Sequence, residues 1–278
     1  MRLGLHMPNY DQPTPADWLQ IERVRPQVVT TMCGGTYHAK AIYDHLEQLC
    51  RPQYLVRVGY GVQDANGVLR DLERAQQYTA GVDPARVIYR IANEPNHEGW
   101  PAAQYRDVFL TVACCTSAPL MLANLCLNEG WQEYLSEIAP AAEAAEAIGL
   151  SLYRDDGSDP SRWLPEYERH NRPLYAVEWN VDYERGERRA QWLRWSAGIL
   201  GPHLAGATVY LVGGTPDWEL YSLTWPEIAG YAGVVRSNNN ASALIMNTDG
   251  GTGALGINPA WTVANGDSLN ISGTYRVA

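Results

Sequence analysis

Lysine occurs once in this 278-residue chain, at Lys40, and phenylalanine once, at Phe109. A single lysine leaves little material for a Schiff-base mechanism, which argues against aldolase-type chemistry. Basic residues are outnumbered by acidic ones, 21 to 31, for a net charge of -10. Nucleic acid and anionic membranes recruit basic surfaces, so neither is an expected partner. The five cysteines (Cys33, Cys50, Cys114, Cys115, Cys126) form no C-x-x-C pair, and their odd number does not close into a disulfide framework. Buried free thiols in a reducing compartment are the expectation. The six histidines show no H-E-x-x-H and no paired spacing with acids, so no metal or other cofactor is expected. No apolar run reaches transmembrane length. Met1-Arg2 leads into a short segment containing His6 and Pro8, which lacks the h-region of a signal peptide. A cytoplasmic location is expected, with export left open.

Hydrophobic residues make up 46% of the chain, enough for a large core. Short apolar runs recur at 3–7, 28–32, 54–59, 87–92, 120–124, 148–152, 174–178 and 207–212. Amphipathic segments separate them, so the repeating unit is one strand and one helix, and the strands pair in parallel. Thr14-Pro15-Ala16-Asp17 supplies a helix N-cap, a proline in the first turn and an acid. Further helices are expected at 68–79, 104–114, 131–138 (interrupted by Pro140), 163–170, 188–200 and 226–234. Eight units over residues 1–236 predict an α/β fold, a (β/α)8 TIM barrel. The competing doubly wound sheet needs a glycine-rich phosphate turn after its first strand. Here that turn reads Pro8-Asn9-Tyr10-Asp11-Gln12-Pro13, without glycine. Residues 237–278 differ: Gly, Asn, Ser and Thr dominate, and Asn265-Gly266 is a hairpin signal. They predict a small C-terminal β-rich appendage that packs on the barrel, mediates self-association or binds carbohydrate.

Asn93-Glu94-Pro95-Asn96 directly follows the fourth run, and Glu178 closes the seventh. Reactive groups of a parallel barrel gather where strands end and loops begin. Strands four and seven lie three apart in a closed ring of eight, so the two carboxylates can converge across its mouth. A convergent pair suits cleavage of a glycosidic bond: one carboxyl protonates the leaving oxygen, the other attacks the anomeric carbon or activates water. Taken singly, either carboxylate could instead cap a helix or pair with an arginine. Tryptophan (10) and tyrosine (17) are plentiful, mostly as core residues, with some available as sugar-stacking platforms.

With these motifs in this order, residues 1 to about 235 resemble the clan A retaining glycoside hydrolases, which include family 5 and related glucanases, mannanases and glycosidases. The resemblance implies Glu94 as general acid/base and Glu178 as nucleophile. It implies Asn93 as partner of the sugar 2-hydroxyl, Tyr153 as a donor to the nucleophile and Arg57 as an orienting cation, with a purely structural cation the alternative for Arg57. Trp179 and Trp218, which follow strands seven and eight, are the preferred sugar platforms, and His97 with Glu98 either line a subsite or cap the next helix. The implied substrate is a neutral β-linked glycan or glycoside, cleaved with retention and without a cofactor, by carboxyls about 5–5.5 Å apart. The chain departs from the pattern twice. Ser151 stands where many members have a histidine, and strand eight lacks their terminal tryptophan, reading Thr208-Val209-Tyr210-Leu211-Val212-Gly213-Gly214. The alternative from another class is a non-catalytic carbohydrate-binding or structural barrel, held in an assembly by its tail.

Overall fold

Every one of the eight apolar runs forms a strand, and the strands are buried along nearly their whole length because helices cover one face and barrel-interior side chains the other. The computed structural model of the protein describes residues 1–7, 13–33, 39–153, 159–180 and 187–209. Strands β1 (Arg2–His6), β2 (Val28–Met32), β3 (Gln53–Val58), β4 (Val87–Ile91), β5 (Leu120–Leu122), β6 (Ala147–Tyr153), β7 (Leu174–Asn180) and β8 (Gly206–Val209) are ordered as in the chain. All pairs are parallel, and β8 returns to β1, giving a closed barrel. The end expected for strand eight, the helix at 226–234, Trp218 and the 237–278 appendage lie outside the described residues.

The helices are α1 (Pro15–Val24), α2 (Lys40–Leu49), α3 (Ala65–Tyr78), α4 (Ala102–Cys115), α5 (Trp131–Glu137), α6 (Ala139–Ala144), α7 (Leu164–Glu168) and α8 (Glu187–Leu200). At α1, Thr14 and Asp17 complete a reciprocal capping box. At α3, the Asp64 carboxylate accepts from the Gly67 amide at 2.8 Å. Helix α2 was not among the expected elements; its buried face is short, only Ile42, Tyr43 and Leu46. The segment at 131–138 continues past its end as α6, with Pro140 in the first turn, where no intrahelical donor is lost. The helix expected at 163–170 is a 3-10 turn (Pro160–Trp163) followed by the short α7. The thiols also differ from expectation: Cys33 is buried, but Cys114 and Cys115 are exposed at the end of α4.

Two apolar cores result. The larger lies between sheet and helices, around residues such as Leu5, Tyr43, Val56, Phe109 and Leu193. The smaller fills the barrel, from Val28, Leu55, Ile88, Met121, Ala147, Tyr175 and Val177. Gly4 on β1 is forced by close approach: a Cβ there would sit 1.6 Å from the Val28 carbonyl oxygen. On the strands flanking β1, the Thr30 and Thr208 hydroxyls meet at 2.9 Å. The apolar filling thus gives way to polar groups as the barrel is followed toward its C-terminal mouth.

One irregularity decides what points into that mouth. Strand β6 pairs Leu150 with Ala176 and then Ser151 with Glu178, passing over Val177. The β7–β8 ladder shifts between Ala176 and Trp179 as well. Leu174 and Ala176 face the helices, so strict alternation would send Glu178 to that side too. The extra residue turns Glu178 inward and leaves Trp179 facing the helices.

Candidate active site

Glu94 follows β4 in a tight, unusual backbone. Ala92 (φ 66°) and Glu94 (φ 35°) both occupy the left-handed region without being glycine. Such conformations cost on the order of 1–3 kcal/mol each and persist only where their surroundings enforce them. The enforcement is visible. Ala92 N donates to Val58 O at 2.9 Å, and the Tyr105 hydroxyl donates to Ile91 O at 3.1 Å while accepting from Ala123 N at 2.8 Å. Asn96 clamps the loop to the one after β5, donating to Cys126 O at 2.7 Å and accepting from Cys126 N at 3.0 Å.

The Glu94 and Glu178 carboxylates belong to one polar network. Ser151 on β6 donates its hydroxyl to Glu94 Oε1 at 2.6 Å and accepts from Asn124 Nδ2 at 2.6 Å. Asn124 Oδ1 accepts from Arg90 on β4, which is fully buried. A second approach of Arg90 is to Glu178 Oε1, at 3.8 Å. Tyr153, at the end of β6, donates to Glu178 Oε2 at 3.2 Å. Arg57 on β3 pairs with Glu98 at 3.0 Å and lies over the Tyr60 ring, 5.1 Å from its centre. Beside Glu94, Asn93 Oδ1 is buried without a hydrogen-bond partner among the described residues.

Burial raises both carboxyls above the ordinary glutamate range. For Glu178 the result is about 7, with burial the larger cause and the charge of Glu94 the next, opposed by Arg90, Arg57 and Tyr153. Glu94 is raised by burial too, while Ser151 and Arg90 pull it down. Arg90 is lowered by burial to about 10, so it remains a cation at neutral pH. Double ionisation of the pair is therefore disfavoured, the condition needed for two carboxyls to take opposite roles.

The raised Glu178 has a consequence for stability. Its unfolded value is near 4.5 and its folded value about 7, so the native state binds more protons between them. Stability contributed at this site is then lost as pH rises through that window, and the penalty is full above about 7. Glu178→Gln removes the ionisation. Its melting temperature is expected to exceed that of the parent by roughly 5 °C at pH 8 and to match it at pH 4. Calorimetry at the two pH values checks this; an equal difference at both would show that the carboxyl is not held in a costly environment.

The other residues singled out in the sequence distribute as follows. His97 is exposed in the turn after Glu94. Arg57 hydrogen-bonds Glu98, and the cation that approaches Glu178 is Arg90. Trp179 requires correction as a sugar platform: it is fully buried, packs on Trp192 and donates its indole N–H to Ser196 at 3.2 Å. The β7 bulge is the cause. Trp100 and Trp131 are buried as well, against Tyr105 and Tyr167. His6 is buried, with Nδ1 2.8 Å from Met7 O. Arg90 and Asn124 escaped the sequence reading. Their signal was a charge inside the apolar run Val87-Ile88-Tyr89-Arg90-Ile91, two residues from the interior Ile88 and so on its face. Among the described residues, no cluster of three or more His, Cys, Asp or Glu could hold a metal ion.

No protein-family model matches the sequence, and no curated protein matches it either. The fold does have solved counterparts. A GH128 (subgroup I) endo-β-1,3-glucanase from Amycolatopsis mediterranei, in complex with laminaritriose and laminaribiose, is 14% identical with a TM-score of 0.59, over 83% of this chain and 97% of that one. A GH26 β-mannanase from Bacteroides ovatus is 12% identical with a TM-score of 0.59, over 91% and 94%. The catalytic domain of a mannanase from Streptomyces sp. SirexAA-E is 13% identical with a TM-score of 0.59, over 84% of each chain. The structural neighbours of this barrel are TIM-barrel glycoside hydrolases of clan A, at low sequence identity.

Proposed function

We propose that the protein is a retaining glycoside hydrolase acting on a neutral β-linked glycan or glycoside. The observation that carries this reading is the joining of Glu94 and Glu178, from opposite parts of the chain, by one buried network at the barrel's C-terminal mouth. Glu178 in its ionised form, which Arg90 and the Tyr153 hydroxyl favour against burial, attacks the anomeric carbon. Glu94 gives its proton to the departing oxygen. Water then attacks the glycosyl–enzyme ester, Glu94 takes its proton, and the sugar leaves with its original configuration. Asn93, whose side-chain oxygen lacks a partner among the described residues, is the residue offered to the sugar beside Glu94. The neighbours' β-1,3-glucanase and β-mannanase activities support a β-linked polymer as substrate, and the overall charge of -10 supports a neutral one.

Incubation with β-1,3-glucan, β-1,4-glucan and β-1,4-mannan, scored by reducing ends, tests the proposal. Release from at least one polymer is expected. Binding of a glycan without release from any polymer or aryl β-glycoside would instead favour a carbohydrate-binding barrel.

A further inference from the structure

The hydrogen bonds running from Arg90 to Glu94 have a fixed direction. A guanidinium carries donors only, so the Asn124 oxygen must face Arg90 and its amide nitrogen must face Ser151. The Ser151 oxygen accepts that bond, which leaves its own proton for Glu94 Oε1. A buried cation thus sends a donor outward through three residues on three strands or strand ends. At the other end, the same cation lies beside Glu178.

We infer that Arg90, Asn124 and Ser151 form a one-way relay that favours the ionised form of Glu94, the form that must take a proton from water in the second half of the reaction. These are positioning residues, and the inference rests on the double-displacement reading given above. In the free enzyme the relay is opposed. Burial and the neighbouring Glu178 charge disfavour a second anion, so Glu94 can hold the proton that the leaving group needs. Once Glu178 is esterified its charge is gone, Glu94 has given up its proton, and the relay is no longer opposed by that anion. Among the described residues, the other charged or titratable groups facing Glu94 are Glu98 in its own loop, Arg57 on β3, Cys126 after β5 and Tyr167 on α7. Among the described residues none of these donates to Glu94 in a hydrogen bond, and the relay supports its charge directly.

The test is the titration of Glu94 itself, by NMR of protein carrying ¹³C at the glutamate side-chain carboxyl, with Glu94→Gln to assign the signal. Ser151→Ala is expected to raise the Glu94 pKa by about one unit, the worth of one hydrogen bond to a charged group. Ser151→Thr, which keeps the hydroxyl, is expected to restore the parent value. Asn124→Ala, which frees the Ser151 proton to turn elsewhere, is expected to raise it by less. With an activated aryl β-glycoside, the acidic limb of the kcat profile should move up with the NMR value in Ser151→Ala. An unchanged Glu94 titration in Ser151→Ala, or a Ser151→Thr shift as large as the alanine's, would overturn the relay. A shifted titration in a protein that hydrolyses no glycoside would leave the relay standing and remove the hydrolase reading instead.

Discussion

Glu178→Ala is expected to lower kcat by about 10⁴-fold or more on any glycoside the parent protein cleaves, because among the described residues no other carboxylate stands on that side of the mouth to form the covalent intermediate. The groups that contact it among the described residues, Arg90 and Tyr153, are a cation and a phenol, and neither can replace a carboxylate nucleophile. The size of the loss alone does not identify the role, since a misfolded barrel would also be inactive. Azide makes the distinction. The alanine leaves room for a small anion beside Arg90, and Glu94 can still protonate the leaving oxygen. Azide should therefore attack from the face Glu178 occupied and restore turnover, with a product of opposite configuration. Glu178→Gln serves as the folding control, because its amide still accepts from Tyr153. A glutamine variant that melts cooperatively at or above the parent temperature at pH 8, yet turns over nothing, separates chemistry from folding.

Glu94→Gln should show a different pattern. Loss of a general acid costs about 10²–10⁴-fold, and the cost follows how much the leaving group needs a proton. A polysaccharide, whose leaving group is an alcohol, should lose activity near the upper end of that range. A dinitrophenyl glycoside leaves without help, so its first step should be nearly unimpaired. Its second step should fail, because water has no base. Pre-steady-state measurements are expected to show a burst of dinitrophenol of about one equivalent per enzyme, followed by a slow steady rate. Equal losses on both substrates, with no burst, would place Glu94 outside proton transfer. The Ser151 hydroxyl can still donate to the glutamine oxygen, so the loop that holds position 94 should keep its shape.

The barrel itself was legible in the sequence because its signal is repeated. Eight apolar runs at similar spacing each define a strand, and an error at one boundary does not disturb the count. Strand β5 spans only Leu120–Leu122, shorter than its apolar run, and still occupies its place in the ring. The site was legible only in part. Asn93-Glu94-Pro95 announces itself as a motif, whereas the position of Glu178 depends on a single extra residue in β7. A bulge leaves no composition signal, so Trp179 read as a rim residue when it belongs to the helix interface. Arg90 was hidden by its surroundings. A charged side chain within Val87-Ile88-Tyr89-Arg90-Ile91 looks like an interruption of a strand until its neighbours are known. Those neighbours, Asn124 and Glu178, come from strand ends remote in sequence. Ser151 looked like a missing feature when compared with related barrels, and in three dimensions it is the direct donor to Glu94.

On the proposed mechanism Glu178 becomes covalently bound to sugar during turnover. Mass spectrometry of peptides from protein inactivated by an activated 2-deoxy-2-fluoro-β-glycoside of the preferred sugar checks this. One glycosyl unit per chain is expected, carried by the peptide containing Glu178 and absent in Glu178→Gln. A label on another carboxylate, or continued hydrolysis with Glu178 never modified, would contradict it.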